Sequence, residues 1–210
     1  REQLQAGLSM SIAGIPWWTS DIGGFLGGDI SDEHFKELLV RWFAWGAFCP
    51  VFRMHGERSP WYEREQEYID GVRQLTSGQD NEVWSFGEDN YRILTRYLFI
   101  RERLRPYIRV CMEEAAKSGA PVMRPLFYDF PEDSTCWETE DAYMFGPDLL
   151  VAPVMEEGMR ERQIYLPAGC KWTDAYTKKE YAGGQTITVP APIDIIPVMI
   201  REGKQYDIYE

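Results

Sequence analysis

The stretch WWTSDIGGF, residues Trp17 to Phe25, decides the fold. It runs from an apolar segment into a carboxylate, two glycines and an aromatic ring. The same arrangement recurs at Phe48 to Phe52, an apolar run that delivers Arg53, Met54, His55 and Gly56 at its end. Between the two, Asp32 to Gly46 places Phe35, Leu38, Leu39, Trp42, Phe43 and Trp45 at helical spacings, with Ser31 or Asp32 as N-cap and Gly46 as the stop. A strand, a helix and a second strand, with polar side chains at both strand ends, form a β/α unit.

The residue types at these ends suit a sugar. Pyranose C–H faces pack on Trp and Phe, hydroxyls need acceptors such as Asp21, and Gly23 and Gly24 let the backbone come close. The same spacing also fits a buried strand end followed by a solvated turn aspartate.

Composition narrows the partners. The 210 residues, 44% of them hydrophobic, suffice for one large domain or two small ones, and the net charge of -12 argues against nucleic acid or an anionic membrane. A neutral small molecule or oligosaccharide fits better. No apolar run nears the roughly 18 residues of a membrane span, and no signal core is visible at the start. Cys49, Cys111, Cys136 and Cys170 are widely separated without metal spacing, so free thiols in a reducing, cytoplasmic setting are expected. The abrupt ends read as those of a segment excised from something longer.

Arg1 to Ala13 reads as a helix with small residues for close packing, stopped by Pro16. The polar stretch Glu57 to Asp89 is long enough to mark an active-site or interface loop, with Glu63 to Leu75 helical. Asn90 to Ser118 carries the longest helical pattern, ended by Gly119 and bent or split by Pro106. Its arginines, Arg96, Arg101, Arg103, Arg105 and Arg109, could form an anion site, but the interleaved glutamates favour a solvated or ion-paired face. From Ala120 the texture changes to short apolar runs: 122–128, 142–145, 149–154, 163–166, 172–175, 185–189 and 195–200. These read as an antiparallel β-sandwich, which puts a boundary near Gly119 between residues 1–119 and 120–210.

Five runs, IPWWTSDIGGF (15–25), FCPVFRMHG (48–56), RLRPYI (103–108), MRPLF (123–127) and FGPDLLVAPV (145–154), resemble glycoside hydrolase family 31 in order and separation over essentially the whole chain. The resemblance implies an α/β plus all-β fold, the C-terminal portion of a (β/α)8 barrel followed by an antiparallel β-sandwich. Arg1 to Ala13 is then the helix after strand six, Trp17 to Asp21 strand seven, Phe48 to Arg53 strand eight, Asn90 to Ser118 the closing helix, and Ala120 to Glu202 the proximal sandwich. A distal sandwich would begin where the chain stops.

The resemblance also implies a retaining α-glycosidase without a cofactor or metal. His55 matches a histidine that hydrogen-bonds sugar hydroxyls, and Asp21 lines the same pocket. Phe25 and Trp18 are aromatic wall, and Arg53 organises Asp21 or a neighbouring carboxylate through an ion pair. Retaining hydrolysis needs two carboxyl groups about 5 Å apart. The family's nucleophile and acid/base lie on strands four and six, whose motifs are absent here, so no catalytic residue is expected in this chain and the isolated chain should be inactive. Trp17, Ile22, Val51 and Phe52 would face inward without partners and self-associate unless the missing barrel portion of a parent chain covers them. The FCPVFRMHG form ranks α-xylosidase above α-glucosidase.

Two rival readings stand beside this one. Trp137, Trp172 and Tyr176 could be the exposed aromatics of a carbohydrate-binding module, although core or interface packing is favoured, and the chain could be a structural fragment with no ligand. Glu156-Glu157-Gly158, Glu138 to Asp141 and Lys178-Lys179-Glu180 read as solvated turns, and His34 takes no role.

Overall fold

The computed structural model describes residues 1–60, 68–73 and 78–209. Its elements in chain order are α1 (Glu2–Ile12), β1 (Leu26–Asp29), α2 (Glu33–Gly46), β2 (Glu57–Ser59), β3 (Tyr68–Ile69), β4 (Val72–Arg73), α3 (Glu88–Ser118), β5 (Met123–Pro125), α4 (Leu126–Asp129), α5 (Ser134–Glu138), β6 (Tyr143–Phe145), β7 (Leu149–Val151), β8 (Glu161–Leu166), β9 (Lys171–Asp174), β10 (Glu180–Ala182), β11 (Gln185–Pro190) and β12 (Val198–Arg201).

The helices follow their apolar spacing. In α2 the Asp32 side chain accepts a hydrogen bond from the His34 amide at 3.0 Å, which makes Asp32 the cap, and Phe35, Leu39, Val40 and Phe43 are buried. Gly46 is the last helical residue, and its role is close approach: a Cβ there would lie 2.6 Å from Ile22 Cδ1 and 3.2 Å from Phe52. In α3, Leu94, Tyr97, Ile100, Leu104, Ile108, Cys111 and Ala115 form one buried stripe, and Gly119 ends the helix in the left-handed region at φ 76. Pro106 does not split it. The stretch 63–75, read as helical, instead holds the short antiparallel pair β3 and β4, and its remainder lies outside the described residues.

Neither Trp17 to Asp21 nor Phe48 to Arg53 is a strand here. One backbone bond joins them, from the Val51 amide to the Trp18 carbonyl at 3.3 Å, and the parallel ladder forms further along each segment, between β1 and β2 with Leu26 opposite Glu57 and Asp29 opposite Ser59. A strand is defined by its neighbours, and a two-segment contact supplies neither run with a continuous row of partners. Ile22, expected to face inward bare, is buried against Gly46. Phe52 meets Phe43 edge-on at 4.7 Å and Val51 is half-buried, whereas Trp17 is 61% exposed.

Antiparallel pairing dominates the C-terminal half. One sheet runs β10-β9-β12-β7-β6-β5, and β8 pairs with β11 in a separate hairpin. The period-2 alternation sends Met144, Leu150, Trp172 and Met199 toward Ile164, Leu166, Ile187 and Val189 of the hairpin. Tyr143, Phe145, Leu149, Val151 and Ile200 face the opposite way and share one core with α2 and α3. The apolar run expected to extend to Tyr128 leaves the sheet at Pro125 and coils into α4, where Arg124 pairs with Asp129 at 3.0 Å.

Phenols and guanidiniums tie distant stretches of main chain together. Tyr97 Oη donates to the Asp194 carbonyl and accepts from the Ile196 amide, both at 2.9 Å, and Tyr143 Oη donates to Phe48 O at 2.7 Å. Arg41 donates to the carbonyls of Met159, Ala191, Pro192 and Ile195, and Arg101 to those of Ala47, Cys49 and Pro50. The α3 arginines therefore divide. Arg105 and Arg109 form exposed pairs with Glu102 and Glu113, while Arg96 pairs with Asp194 and Arg101 and Arg103 hold main-chain carbonyls. Tyr97→Phe should cost about 1–3 kcal/mol, because it strands a buried amide and a carbonyl, and urea unfolding of both chains measures the loss.

Candidate functional site

The first loop turns at Asp21, whose carbonyl accepts from Gly24 N at 2.8 Å while Gly23 and Gly24 take φ values of 81 and 87. A Cβ on Gly23 would lie 2.8 Å from Leu39 Cδ1 and 2.9 Å from Arg58 Nη2. The second loop meets the first backbone to backbone: at Gly56, φ 132, a Cβ would fall 2.5 Å from Phe25 O, and Glu57 N donates to that oxygen at 2.9 Å.

Beside this contact four of the expected residues meet in two pairs, of which Arg53 with Asp21 was expected as a pair. Arg53 Nη2 donates to Asp21 Oδ1 at 2.5 Å, and the His55 ring lies 5.4 Å from that of Phe25, tilted by 35°. Phe25, Arg53 and His55 are exposed and Asp21 is half-buried, so the rim of this loop contact carries an acceptor paired with a cation, and an imidazole beside an aromatic face. Such a rim can hold hydroxyls and a C–H face. The ion pair itself, with Arg53 half exposed, contributes about 0–1 kcal/mol, which fits a role in orienting Asp21 rather than in stabilising the fold.

Trp18 stands apart from the other four. Its ring packs where a Cβ on Gly7 would be 2.9 Å away, lies 5.8 Å from Trp45 and joins the main core. The exposed indole at this end is Trp17. Two adjacent tryptophans in this non-strand segment face different ways, and the sequence does not say which of them turns inward.

Sequence reasoning missed Arg58. Its side chain is fully buried beneath the first loop, with Nη1 donating to Gly24 O at 2.9 Å and Gly27 O at 3.2 Å and Nη2 to Ile22 O at 2.8 Å. Nε donates to Asn81 Oδ1 at 2.8 Å, and Asn81 Nδ2 donates to Gly56 O at 3.1 Å. Arg58 is the middle residue of Glu57-Arg58-Ser59 and the one position of that short strand turned inside, which its polar neighbours in the sequence do not signal.

Other groups fall away as candidates. Trp172 is fully buried, with its indole N–H donating to Pro167 O, which removes it as a binding platform. Trp137 stacks on Phe127 at 4.5 Å and Tyr176 meets Tyr209 edge-on, although both remain partly exposed. The cysteines are unpaired, and burial pushes the thiols of Cys49 and Cys111 up and that of Cys136 up to about 12, which suits inert packing rather than nucleophilic chemistry. A groove of about 520 Å³ lies away from the rim, between α2 and residues 154–157. There His34 Nδ1 meets Glu157 and Arg1 meets Glu156, so that acidic turn ties the two halves together.

Comparison with known proteins places these features. Residues 1–109 match the family described as glycosyl hydrolases family 31 TIM-barrel domain, and residues 119–204 match the glycosyl hydrolase family 31 C-terminal domain. An alpha-xylosidase of Saccharolobus solfataricus is 34% identical over 97% of this chain and 25% of its own length. Alpha-glucosidase 2 of Bacillus thermoamyloliquefaciens is 32% identical over 96% of this chain and 23% of its own. The crystal structure of a family 31 alpha-xylosidase from a soil metagenome, complexed with xylose, is 57% identical with a TM-score of 0.92, covering 96% of this chain and 30% of that one. The chain thus spans about a quarter of the length of the curated relatives it matches.

The Glu157 hydrogen bond and charge raise the pKa of His34 above its ordinary value, with Asp32 and Glu37 adding to the effect. The imidazolium contact therefore stabilises the fold fully below the unfolded value of about 6.5 and is lost as pH rises through the raised folded value. NMR titration of His34 should give a midpoint above 6.5 that falls toward it in Glu157→Gln.

Proposed function

This chain belongs to glycosyl hydrolase family 31, and we propose that it supplies two strand-end loops of the sugar pocket in a retaining α-glycosidase acting on α-xylosides in preference to α-glucosides. The observation that supports the reading is the backbone lock between Phe25 and Gly56-Glu57, beside which Arg53 pairs with Asp21 and the His55 ring meets that of Phe25. His55 hydrogen-bonds ring hydroxyls, Asp21 accepts from them while Arg53 orients it, and Phe25 packs on the C–H face. The preference for xylosides is supported by the relative that is 57% identical, an alpha-xylosidase complexed with xylose.

Hydrolysis with retention proceeds by two displacements. An aspartate attacks the anomeric carbon while a second carboxylic acid protonates the departing oxygen, and that second group then removes a proton from the water that cleaves the covalent intermediate. Both carboxyl groups are supplied by polypeptide other than these 210 residues. The barrel part extends to Gly119 and the sandwich from Ala120, a division supported by the left-handed cap that ends α3 and by the first sheet strand at Met123.

In the intact enzyme, His55→Ala should lower kcat/KM on 4-nitrophenyl α-xyloside by about 10- to 100-fold, the loss of one or two hydrogen bonds to the sugar. The 210-residue chain alone should show no turnover of the same substrate. Turnover by the isolated chain that His55→Ala abolishes would overturn the assignment of catalysis elsewhere, and an intact enzyme indifferent to His55→Ala would overturn the rim.

A further inference from the structure

The rim is built from two loops, and one buried side chain is bonded to the main chain of the first and linked to that of the second. Arg58 gathers the carbonyls of Ile22, Gly24 and Gly27, which bracket Phe25, and through Asn81 it is linked to the carbonyl of Gly56, next to His55. Phe35 lies over the guanidinium at 5.3 Å. There is little slack around it: Gly23 admits no Cβ because Arg58 Nη2 and Leu39 stand there, and Gly56 admits none because Phe25 O stands there. Burial works against the charge of Arg58, and the negative charge of Asp21 works in favour.

The planar fork matters here. A guanidinium presents five N–H donors in fixed directions, which lets one group answer carbonyls on different stretches of chain at once; an ammonium offers three donors from a single point. We propose that Arg58 is the positioning residue of this rim, fixing where Phe25 and His55 stand relative to each other without itself touching the sugar. The inference rests on the sugar-binding reading of the rim.

The test uses Arg58→Lys, Arg58→Met and Asn81→Ala. In the intact enzyme both Arg58 variants should lose about 100-fold in kcat/KM on 4-nitrophenyl α-xyloside with a raised KM, the size expected when a binding group shifts by about 1 Å. Asn81→Ala should move the same quantities less. In the 210-residue chain, the His55 ring resonances, which sense the Phe25 ring current, should shift in all three variants. A residue that only held the fold together would reduce the folded fraction while leaving KM and the His55 resonances at wild-type values in the surviving molecules, and that result overturns the proposal. Should Arg58→Met not fold, Arg58→Lys and Asn81→Ala give the same decision. A wild-type enzyme without α-xyloside turnover would remove the substrate reading, and the His55 shift would still decide the role of Arg58.

Discussion

A carbonyl taken out of water must find a donor, and the loops of this protein are organised around that requirement. Where the β1–β2 ladder ends, the main chain from Ile22 to Gly27 has few strand partners, and the guanidinium of Arg58 takes their place. Arg101 does the same beneath Ala47, Cys49 and Pro50, and Arg41 for the turns at Met159 and Ala191 to Ile195. Each unpaired buried carbonyl would cost about 1–3 kcal/mol, so an arginine that answers three or four of them outweighs any local preference of a loop that is partly glycine. These are structural cations bonded to neutral oxygens.

The same requirement explains how the α/β part is held to the sheets. Tyr97, Tyr107 and Tyr143 reach across with their hydroxyls, and burial pushes all three phenols upward, which keeps them neutral and able both to donate and to accept. Tyr107 uses both capacities, donating to Phe145 O and accepting from Asp148 N. Because strands β5, β6, β7 and β12 of the six-stranded sheet are buried on both faces, one side of it serves as floor for α3 and the other as half of the sandwich core.

How much of this was legible follows from the physics of each element. The helices α2 and α3 were readable because periodicity, cap and stop agree along one local stretch, as at Asp32 and Gly119. The sheet strands were readable as short apolar runs, except at β10, where Glu180 is the first strand residue rather than part of a solvated turn and no apolar run marks the strand, and at Leu126–Asp129, where Pro125 and the Arg124–Asp129 pair turn an apolar run into a helix. The runs at Trp17 and Phe48 were not, since strand character depends on hydrogen bonds to chain far away. At the rim, the Asp21–Arg53 pair was legible from residue types at segment ends, and Phe25 and His55 were each singled out, but the ring contact between them was not. The inward turn of Trp18 and the burial of Arg58 did not, because an arginine between a glutamate and a serine carries the pattern of a solvated edge.

The clasp at the foot of the long excursion after β2 has a consequence of its own. Gln79 N donates to Arg58 O at 2.8 Å, Gln79 Nε2 donates to Pro60 O at 3.0 Å, and Gly78 passes so close that a Cβ would lie 2.2 Å from the Arg58 oxygen. The two feet of that segment, at Arg58 to Pro60 and at Gly78 to Gln79, are thus pinned to one spot. Doubling the length of such a closed loop costs only about 0.6 kcal/mol in chain entropy. A change of length between the two feet is therefore cheap for the chain, because the clasp at Arg58, Pro60, Gly78 and Gln79 already holds its ends together.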